Sequence, residues 1–296
     1  MSARPVLSVI IPTRGRAVRL RACLETLAAG EPPPGGWEVV VVDDGSDAPL
    51  EPAVGEVGGL PVQYVRQPPA GLNPARNRGA AEARGDLLAF LDDDTLVAPG
   101  WAGAVCSAFA SGCDAVGGRV RLRLEGSAPR WLTPKLRRYL AEYDLGDEAG
   151  EIAGEPVPVG ANCTIRRSAF ESAGGFAPGL DRVGGSLISN GDTDLFRRLR
   201  AAGGTIRYEP GALVEHSVPA ERLTNEFFRR RAHAQGQSDA RLAVAAGSRL
   251  REVVRSGRTV PIAVRGVLEG RGATTAQFWL QYCRGRLSAL EEARRG

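Results

Sequence analysis

Two stretches constrain this chain more than any other feature of it. EVVVV at 38–42 and LLAFL at 87–91 are short apolar runs, and each ends at once in acid: Asp43, Asp44, Gly45 and Ser46 follow the first, Asp92, Asp93 and Asp94 the second. A run with no polar alternation has no face to turn to water, so the strand it forms is covered on both sides, as in a parallel sheet between helices. In open parallel sheets ligands bind beyond the carboxyl ends of the strands, which is where both acidic clusters fall.

LSVIIP at 7–12 is a third such run, and between it and residue 38 Leu20, Cys23, Leu24 and Leu27 recur at helical spacing before Gly30. That is a βαβ unit. The pattern further predicts a strand over Val62–Val65, a helix over Pro74–Arg84 with its proline in the first turn, a helix near Trp101–Ala110 and a strand near Ala115–Val120. Residues 125–158, rich in Gly, Pro and charge, read as an irregular excursion with one short helix around Pro134–Tyr143. Order resumes at Val159, with a helix over Asp194–Ala202 and a strand over Thr205–Tyr208; past Pro219 a helical period returns, broken near Gly247, Gly257 and Gly270–Gly272. The expected class is α/β: a mixed sheet flanked by helices, followed by a helical C-terminal tail.

With 296 residues, 43% hydrophobic and 24% charged, the chain can bury a large core, which excludes disordered, collagen-like and coiled-coil classes. The formal charge of +4 does not point to nucleic acid, because Lys135 is the only lysine among 38 basic residues. Distribution says more. Residues 220–296 hold 15 arginines against 7 acidic residues, so residues 1–219 are net negative. This suits either an acidic, metal-assisted site joined to a basic surface that meets an anionic acceptor or a membrane, or terminal helices with a solvated arginine face. Five cysteines without a CxxC pair argue against a disulfide framework or a zinc site. The apolar run at 6–11 is too short for a signal peptide, and no run approaches eighteen residues. The expectation is a cytoplasmic protein, soluble or peripheral to the inner face of the membrane.

Three successive carboxylates repel one another, and a hard divalent ion, Mn²⁺ or Mg²⁺, that also takes phosphate oxygens would resolve this; an exposed acidic turn is the alternative. Neither GxGxxG nor GxxxxGK[ST] follows a strand, so phosphate would have to be met by metal and arginine.

SVIIPTRGR at 8–16, VVVVDDGSD at 39–47, ARNRGAAEARGDLLAFLDDDT at 75–95, GANCTIRRSAFESAGGF at 160–176 and DTDLFRRLRAAG at 192–203 together resemble the family 2 inverting glycosyltransferases of GT-A fold. The resemblance covers most of residues 6–216 and implies transfer of a sugar from a nucleotide diphosphate donor, UDP-sugar favoured, with a divalent metal on a DxD element. It divides the chain into a catalytic domain at 1–219, with a nucleotide-binding half at 1–95 and an acceptor half at 96–219, and an arginine-rich segment at 220–296. By the same resemblance Pro12 and Arg14 lie where the family meets the base, Asp44 is placed to accept from a uracil-like ring edge, and Thr13 and Asp43 count among the donor-binding residues. Arg76 and Asn77 contact the donor, and Gly160, Ala161 and Asn162 border the sugar. Asp92 and Asp94 form the DxD pair: Asp94 ligates metal directly, Asp92 and Asp93 serve the ribose or metal-bound water, and His216 joins Asp92 and Asp94 in the metal set. Asp192 is the general base, although Gly191 stands where the family usually carries glutamate. Asp192 would equally suit an N-cap, and Asp194 a first-turn carboxylate.

Two other readings stand beside this one: a nucleotidyltransferase, and a degenerate sugar-nucleotide binding module without catalysis. The acceptor, whether glycan, lipid-linked or small molecule, is not readable. Phe227–Arg231 (FFRRR) suits either peripheral membrane or phosphate-bearing acceptor contact, or a homodimer through the C-terminal helices.

Overall fold

The computed structural model describes residues 5–55, 57–180, 187, 189–245 and 273–295. The strands are β1 (Leu7–Thr13), β2 (Trp37–Asp44), β3 (Val62–Gln67), β4 (Leu87–Leu91), β5 (Thr95–Val97), β6 (Ala115–Glu125), β7 (Gly150–Glu151), β8 (Asn162–Arg166) and β9 (Ile206–Pro219). The helices are α1 (Ala17–Ala28), α2 (Glu51–Val54), α3 (Leu72–Glu82), α4 (Trp101–Ala108), α5 (Pro134–Arg137), α6 (Arg167–Ser172), α7 (Gly191–Ala201), α8 (Asn225–Ala245) and α9 (Ala273–Arg295). Contacts divide the chain into two compact units. The first comprises Met1–Arg123, Leu140–Pro178 and Gly191–Ser217; the second comprises Leu124–Tyr139, Gly179–Asn190 and Val218–Gly296.

The strands form one sheet in the order β3-β2-β1-β4-β8-β6-β9-β5, with β7 against β9. β1, β2, β3 and β4 run parallel; β8 is antiparallel to β4 and β6, and β5 to β9. The expected mixed sheet is therefore present, and the parallel part is made of the continuous apolar runs. Every residue of β1 and β4 is buried. Leu20, Cys23, Leu24 and Leu27 form the inner face of α1, as their spacing predicts. Phe90 anchors an aromatic cluster, with Phe176 edge-on at 5.0 Å and Phe170 at 5.4 Å between ring centres. At the strand ends away from the acidic clusters, Glu38 is buried and accepts from Ser8 Oγ at 2.7 Å and from the Arg84 backbone and guanidinium. Burial pushes the Glu38 carboxyl upward, but these hydrogen bonds outweigh it and hold the group below the ordinary range.

Several boundaries differ from expectation. α3 begins at Leu72, two residues before Pro74, so the proline sits inside the first turn. β6 continues to Glu125, and β9 runs through Pro210 and Gly211 to Pro219, well past Tyr208. In its last part Ala212, Val214 and His216 are buried while Glu215 between them is exposed, the alternation of a half-covered strand. α7 starts at Gly191, so Asp192 lies within the first turn and is not its N-cap; Asn190, at φ 97°, precedes the helix. Residues 125–158 hold α5, a 3-10 turn over Arg138–Leu140 and β7.

In the second unit α8 and α9 pack closely. A Cβ on Gly236 would lie 2.0 Å from the carbonyl oxygen of Tyr282, so the two backbones touch where no side chain intervenes. Phe228 meets Trp131 edge-on at 4.9 Å, Tyr139 meets Phe278 at 4.6 Å, and Asp239 accepts from Asn190, Gln235 and Tyr282. The expected helical breaks near Gly247, Gly257 and Gly270–Gly272 lie outside the described residues. Among the described residues no helix is long and apolar enough to cross a membrane.

Candidate active site

The carboxyl ends of β1, β2 and β4 bring Thr13, Asp43–Asp44 and Asp92–Asp94 to one edge of the sheet. Thr95 closes the acidic turn by donating from its hydroxyl to Asp92 O at 2.7 Å. Each carboxylate of the triplet faces a cationic or imidazole side chain. Asp92 accepts from Arg76 Nη2 at 2.9 Å, and Asp93 from Arg16 Nη1 at 2.9 Å and Thr13 Oγ1 at 2.7 Å. Asp94 lies 3.3 Å from Arg16 Nη1 and 3.1 Å from His216 Nε2. Burial pushes Asp93 up to about 6; Arg16 opposes this and the neighbouring Asp94 reinforces it.

His216 is placed by β9, opposite Thr95 in the β5 ladder. Its Nδ1 lies 2.8 Å from the Leu140 carbonyl, which requires the proton on Nδ1. Nε2, on the other side of the ring, is thereby aimed at Asp94 Oδ1, the orientation in which an imidazole nitrogen and a carboxylate can share a cation. Asp92, Asp94 and His216 offer ligand atoms that all lie within 4.8 Å of one another. Two carboxylates and one oriented imidazole fit a divalent ion, and the nitrogen makes the set more suitable for Mn²⁺ than for Mg²⁺, which prefers oxygen alone.

At the end of β2, Asp43 is fully buried and accepts from Ser46 N at 2.8 Å and Tyr64 Oη at 2.6 Å. Burial raises its pKa, yet these bonds prevail and hold it below the ordinary range. Asp44 Oδ1 accepts from Gln67 Nε2 and Ala70 N, both at 2.8 Å, and Oδ2 from Gly71 N at 2.9 Å. Pro12 is buried in β1, whereas Arg14 is exposed and makes no hydrogen bond or ion pair among the described residues.

Arg76 is buried, its guanidinium 5.1 Å above the Phe176 ring and its Nε without a hydrogen-bond partner among the described residues. It presses on Gly160: a Cβ there would lie 2.5 Å from Nη2 and 2.6 Å from Nη1. On its other side Gly160 donates its N–H to Asp192 Oδ2 at 3.0 Å, while Asp192 Oδ1 accepts from Thr193 N at 2.8 Å. One residue thus separates Arg76 from Asp192. Asp194 pairs with Arg198 one turn along α7 at 2.7 Å, the helix-stabilising use its position suggests. Cys163 lies under the site, and burial pushes its thiol up to about 12, so it is not a nucleophile there.

Two residues proposed to meet the donor direct their side chains elsewhere. Asn77 clamps the backbone of Phe176, donating to its carbonyl at 2.8 Å and accepting from its N–H at 2.9 Å. Asn162 is buried; its amide donates to Arg119 O and Ala212 O and accepts from Trp101 Nε1. Ala161, between Gly160 and Asn162, is buried as well. Sequence reasoning missed two residues that matter here. Arg16 bridges Asp93 and Asp94 from 77 and 78 positions away, with only its charge as a signal. Asn73 explains Gly191: a Cβ at 191 would lie 2.3 Å from Asn73 Nδ2, so the amide fills the space into which a larger residue would project.

Comparisons with known proteins agree with this architecture. Residues 8–174 match the family model for glycosyl transferase family 2. The chain is 31% identical over 271 residues to the succinoglycan biosynthesis protein ExoM of Rhizobium meliloti, covering 88% of this chain and 81% of that one. It is 33% identical over 221 residues to the pre-mycofactocin glycosyltransferase of Mycobacterium tuberculosis, covering 71% of this chain but only 42% of that protein. Among solved structures, the mannosyltransferase PcManGT from Pyrobaculum calidifontis, in complex with GDP-Man and Mn²⁺, superposes with a TM-score of 0.65 at 18% identity, covering 98% of this chain and 88% of that one. GalNAc-T7 with UDP, GalNAc and Mn²⁺ gives 0.55 at 20% identity over 78% and 47%. The likeness to these structures carries the GT-A fold, and the sequence match does not favour a nucleotidyltransferase. The apolar strands, the acidic turn that follows β4 and the match over 8–174 lead to one assignment: the chain is a glycosyltransferase and belongs to glycosyl transferase family 2.

Proposed function

We propose that the protein transfers a sugar from a nucleoside diphosphate donor to an acceptor hydroxyl with inversion, and that Asp192 takes the acceptor proton. The observation that carries the reading is Gly160, in contact with Arg76 on one side and hydrogen-bonded to Asp192 on the other. A single displacement needs a positive group where the diphosphate departs and a carboxylate where the hydroxyl arrives, with one sugar ring between. Arg76 supplies the first and Asp192 the second. Asp92, Asp94 and His216 would hold Mn²⁺, which when bound neutralises the charge developing on the departing diphosphate.

Uridine suits the base site better than guanosine. A carboxylate has about four acceptor positions, and Asp44 already uses three, two on Oδ1 and one on Oδ2. One remaining position fits the single ring N–H of uracil and not the paired donors of guanine. Arg14, exposed and without an ion pair among the described residues, can stack on the ring. Residues 1–219 form the catalytic part in this reading, and residues 220–296 serve the acceptor or assembly.

The test is Asp192→Asn with product stereochemistry. Loss of a positioned base costs about 10²- to 10⁴-fold in turnover, while UDP binding with Mn²⁺ persists. Asparagine can satisfy only one of the two N–H groups that Asp192 now accepts, so the melting temperature is read in parallel. NMR of fresh product should show the anomer opposite to that of the donor; retention, or a folded variant with undiminished turnover, refutes the mechanism.

A further inference from the structure

The FFRRR segment does not act as one patch. Arg231 is buried in the second unit, with Nη1 3.4 Å from Leu187 O and Nη2 3.1 Å from Ser189 Oγ, and its guanidinium stacks 5.9 Å from the Tyr139 ring. Arg229 and Arg230 are exposed, and among the described residues neither has a hydrogen bond or an ion pair. Both line an open cavity of about 550 Å³ together with His233. Gln237 and Gln281 contribute amides to the same wall, and Glu226 the one carboxylate among the described residues.

The spacing shows why these groups converge. Positions 226, 230, 233 and 237 fall on one stripe of α8, and 229 lies one turn before 233. Glu226 and Arg230, four residues apart, could neutralise each other along the helix, yet they form no ion pair. Among the described residues of the wall, two guanidinia and an imidazole outnumber the single acid, and the other polar groups are neutral amides. A cavity of this size exceeds what an inorganic anion fills, while amides beside cations suit hydroxyls next to a phosphate.

From this convergence we propose that the cavity on α8, within the second unit, binds a phosphate ester with a hydroxyl-bearing alcohol portion. Arg229 and Arg230 hold the phosphate oxygens by forked hydrogen bonds. His233, Gln237 and Gln281 meet the alcohol portion. The ligand is either a soluble phosphorylated compound or the head group of a phospholipid, and both present the same chemistry.

The full chain should be assayed in excess chelator, so that metal-dependent phosphate binding at the acidic turn is silent. Glycerol 1-phosphate is the soluble probe, and vesicles of phosphatidylglycerol in phosphatidylcholine are the membrane probe. The wild type should bind one or both, and Arg229→Gln/Arg230→Gln should weaken that binding at least tenfold while UDP binding with Mn²⁺ and the melting temperature hold. Binding of the soluble probe supports the proposal with a free ligand as source; binding of vesicles alone supports it with a lipid as source. Arg231→Gln is the contrast, lowering the melting temperature without removing either cation from the cavity wall. Failure of the wild type to bind either probe, or equal binding by the double variant, overturns the proposal. Loss of sugar transfer in Asp192→Asn bears only on the catalytic reading and leaves this test untouched.

Discussion

Gly160→Ala isolates the role of Arg76 without touching a charged group. The φ of Gly160 lies outside the left-handed region, so the backbone accepts alanine, but the new methyl would sit 2.5–2.7 Å from three guanidinium atoms. Ordinary contact begins near 3.4 Å, so the guanidinium must retreat by most of an ångström. The far end of an arginine usually moves at little cost. Here it is buried against the Phe176 ring and bonded at 2.9 Å to Asp92, and retreat breaks that bond. A hydrogen bond between charged groups contributes about 1.5–3 kcal/mol. If Arg76 acts on the departing diphosphate, the same displacement lowers kcat/KM by about 10- to 100-fold, at roughly 1.4 kcal/mol per decade. The assay is a double-mutant cycle in steady-state donor consumption with Gly160→Ala, Arg76→Ala and the pair. Once the guanidinium is gone the methyl has nothing to strike, so the second substitution should add little to the first. Additive losses, or a Gly160→Ala enzyme within twofold of wild type, would show that Gly160 does not protect the position of Arg76.

Chelation should abolish turnover while the chain remains folded, because each acid of the triplet already faces Arg76, Arg16 or His216; unfolding by chelator would contradict this. His216→Ala should weaken Mn²⁺ binding measured by calorimetry, and an unchanged affinity would remove the imidazole from the metal set. Glu38 is held below the ordinary carboxylate range, so its stabilising effect is complete above about pH 4 and is lost as pH falls through and below that value. The melting temperature of Glu38→Gln should therefore lie below wild type at neutral pH and converge with it in acid; a constant gap would refute the assignment. Gly236→Ala places a methyl 2.0 Å from the Tyr282 carbonyl, and forcing α8 from α9 should cost about 1–3 kcal/mol by denaturant titration.

The parallel strands were legible because burial on both faces leaves a mark in every residue of the run, as in VVVV at 39–42 and LLAFL at 87–91. The acidic turn and His216 were legible too, the first from its position after a buried strand and the second from the strand-like run before it. Arg16 was not, since nothing local distinguishes it from Arg14; only the fold puts one against the triplet and leaves the other exposed. The same limit separated Arg231 from its two neighbours. Adjacent helical residues differ in azimuth by about 100°, and which of them faces inward depends on segments distant in sequence, here Leu187, Ser189 and Tyr139. The start of α7 was misplaced for a related reason: Gly191 and Asn190 discourage a helix locally, but Asn73 packs against the first turn and accepts no larger residue there.

Asn162 carries a warning for anyone who maps this enzyme by scanning mutagenesis. Its amide hydrogens are both donated to carbonyls, at Arg119 and Ala212, and its oxygen receives the indole of Trp101, so three separate segments are stapled through one side chain. Aspartate, the nearest isostere, would turn a carboxylate toward two carbonyl oxygens, and alanine would leave all three partners stranded in the interior. Either change would silence the enzyme and enter a tally of donor ligands beside Gly160 and Ala161. The loss would be architectural, and the surviving pattern of tolerated substitutions at 162 would trace the geometry of a joint, telling nothing of which sugar the enzyme prefers.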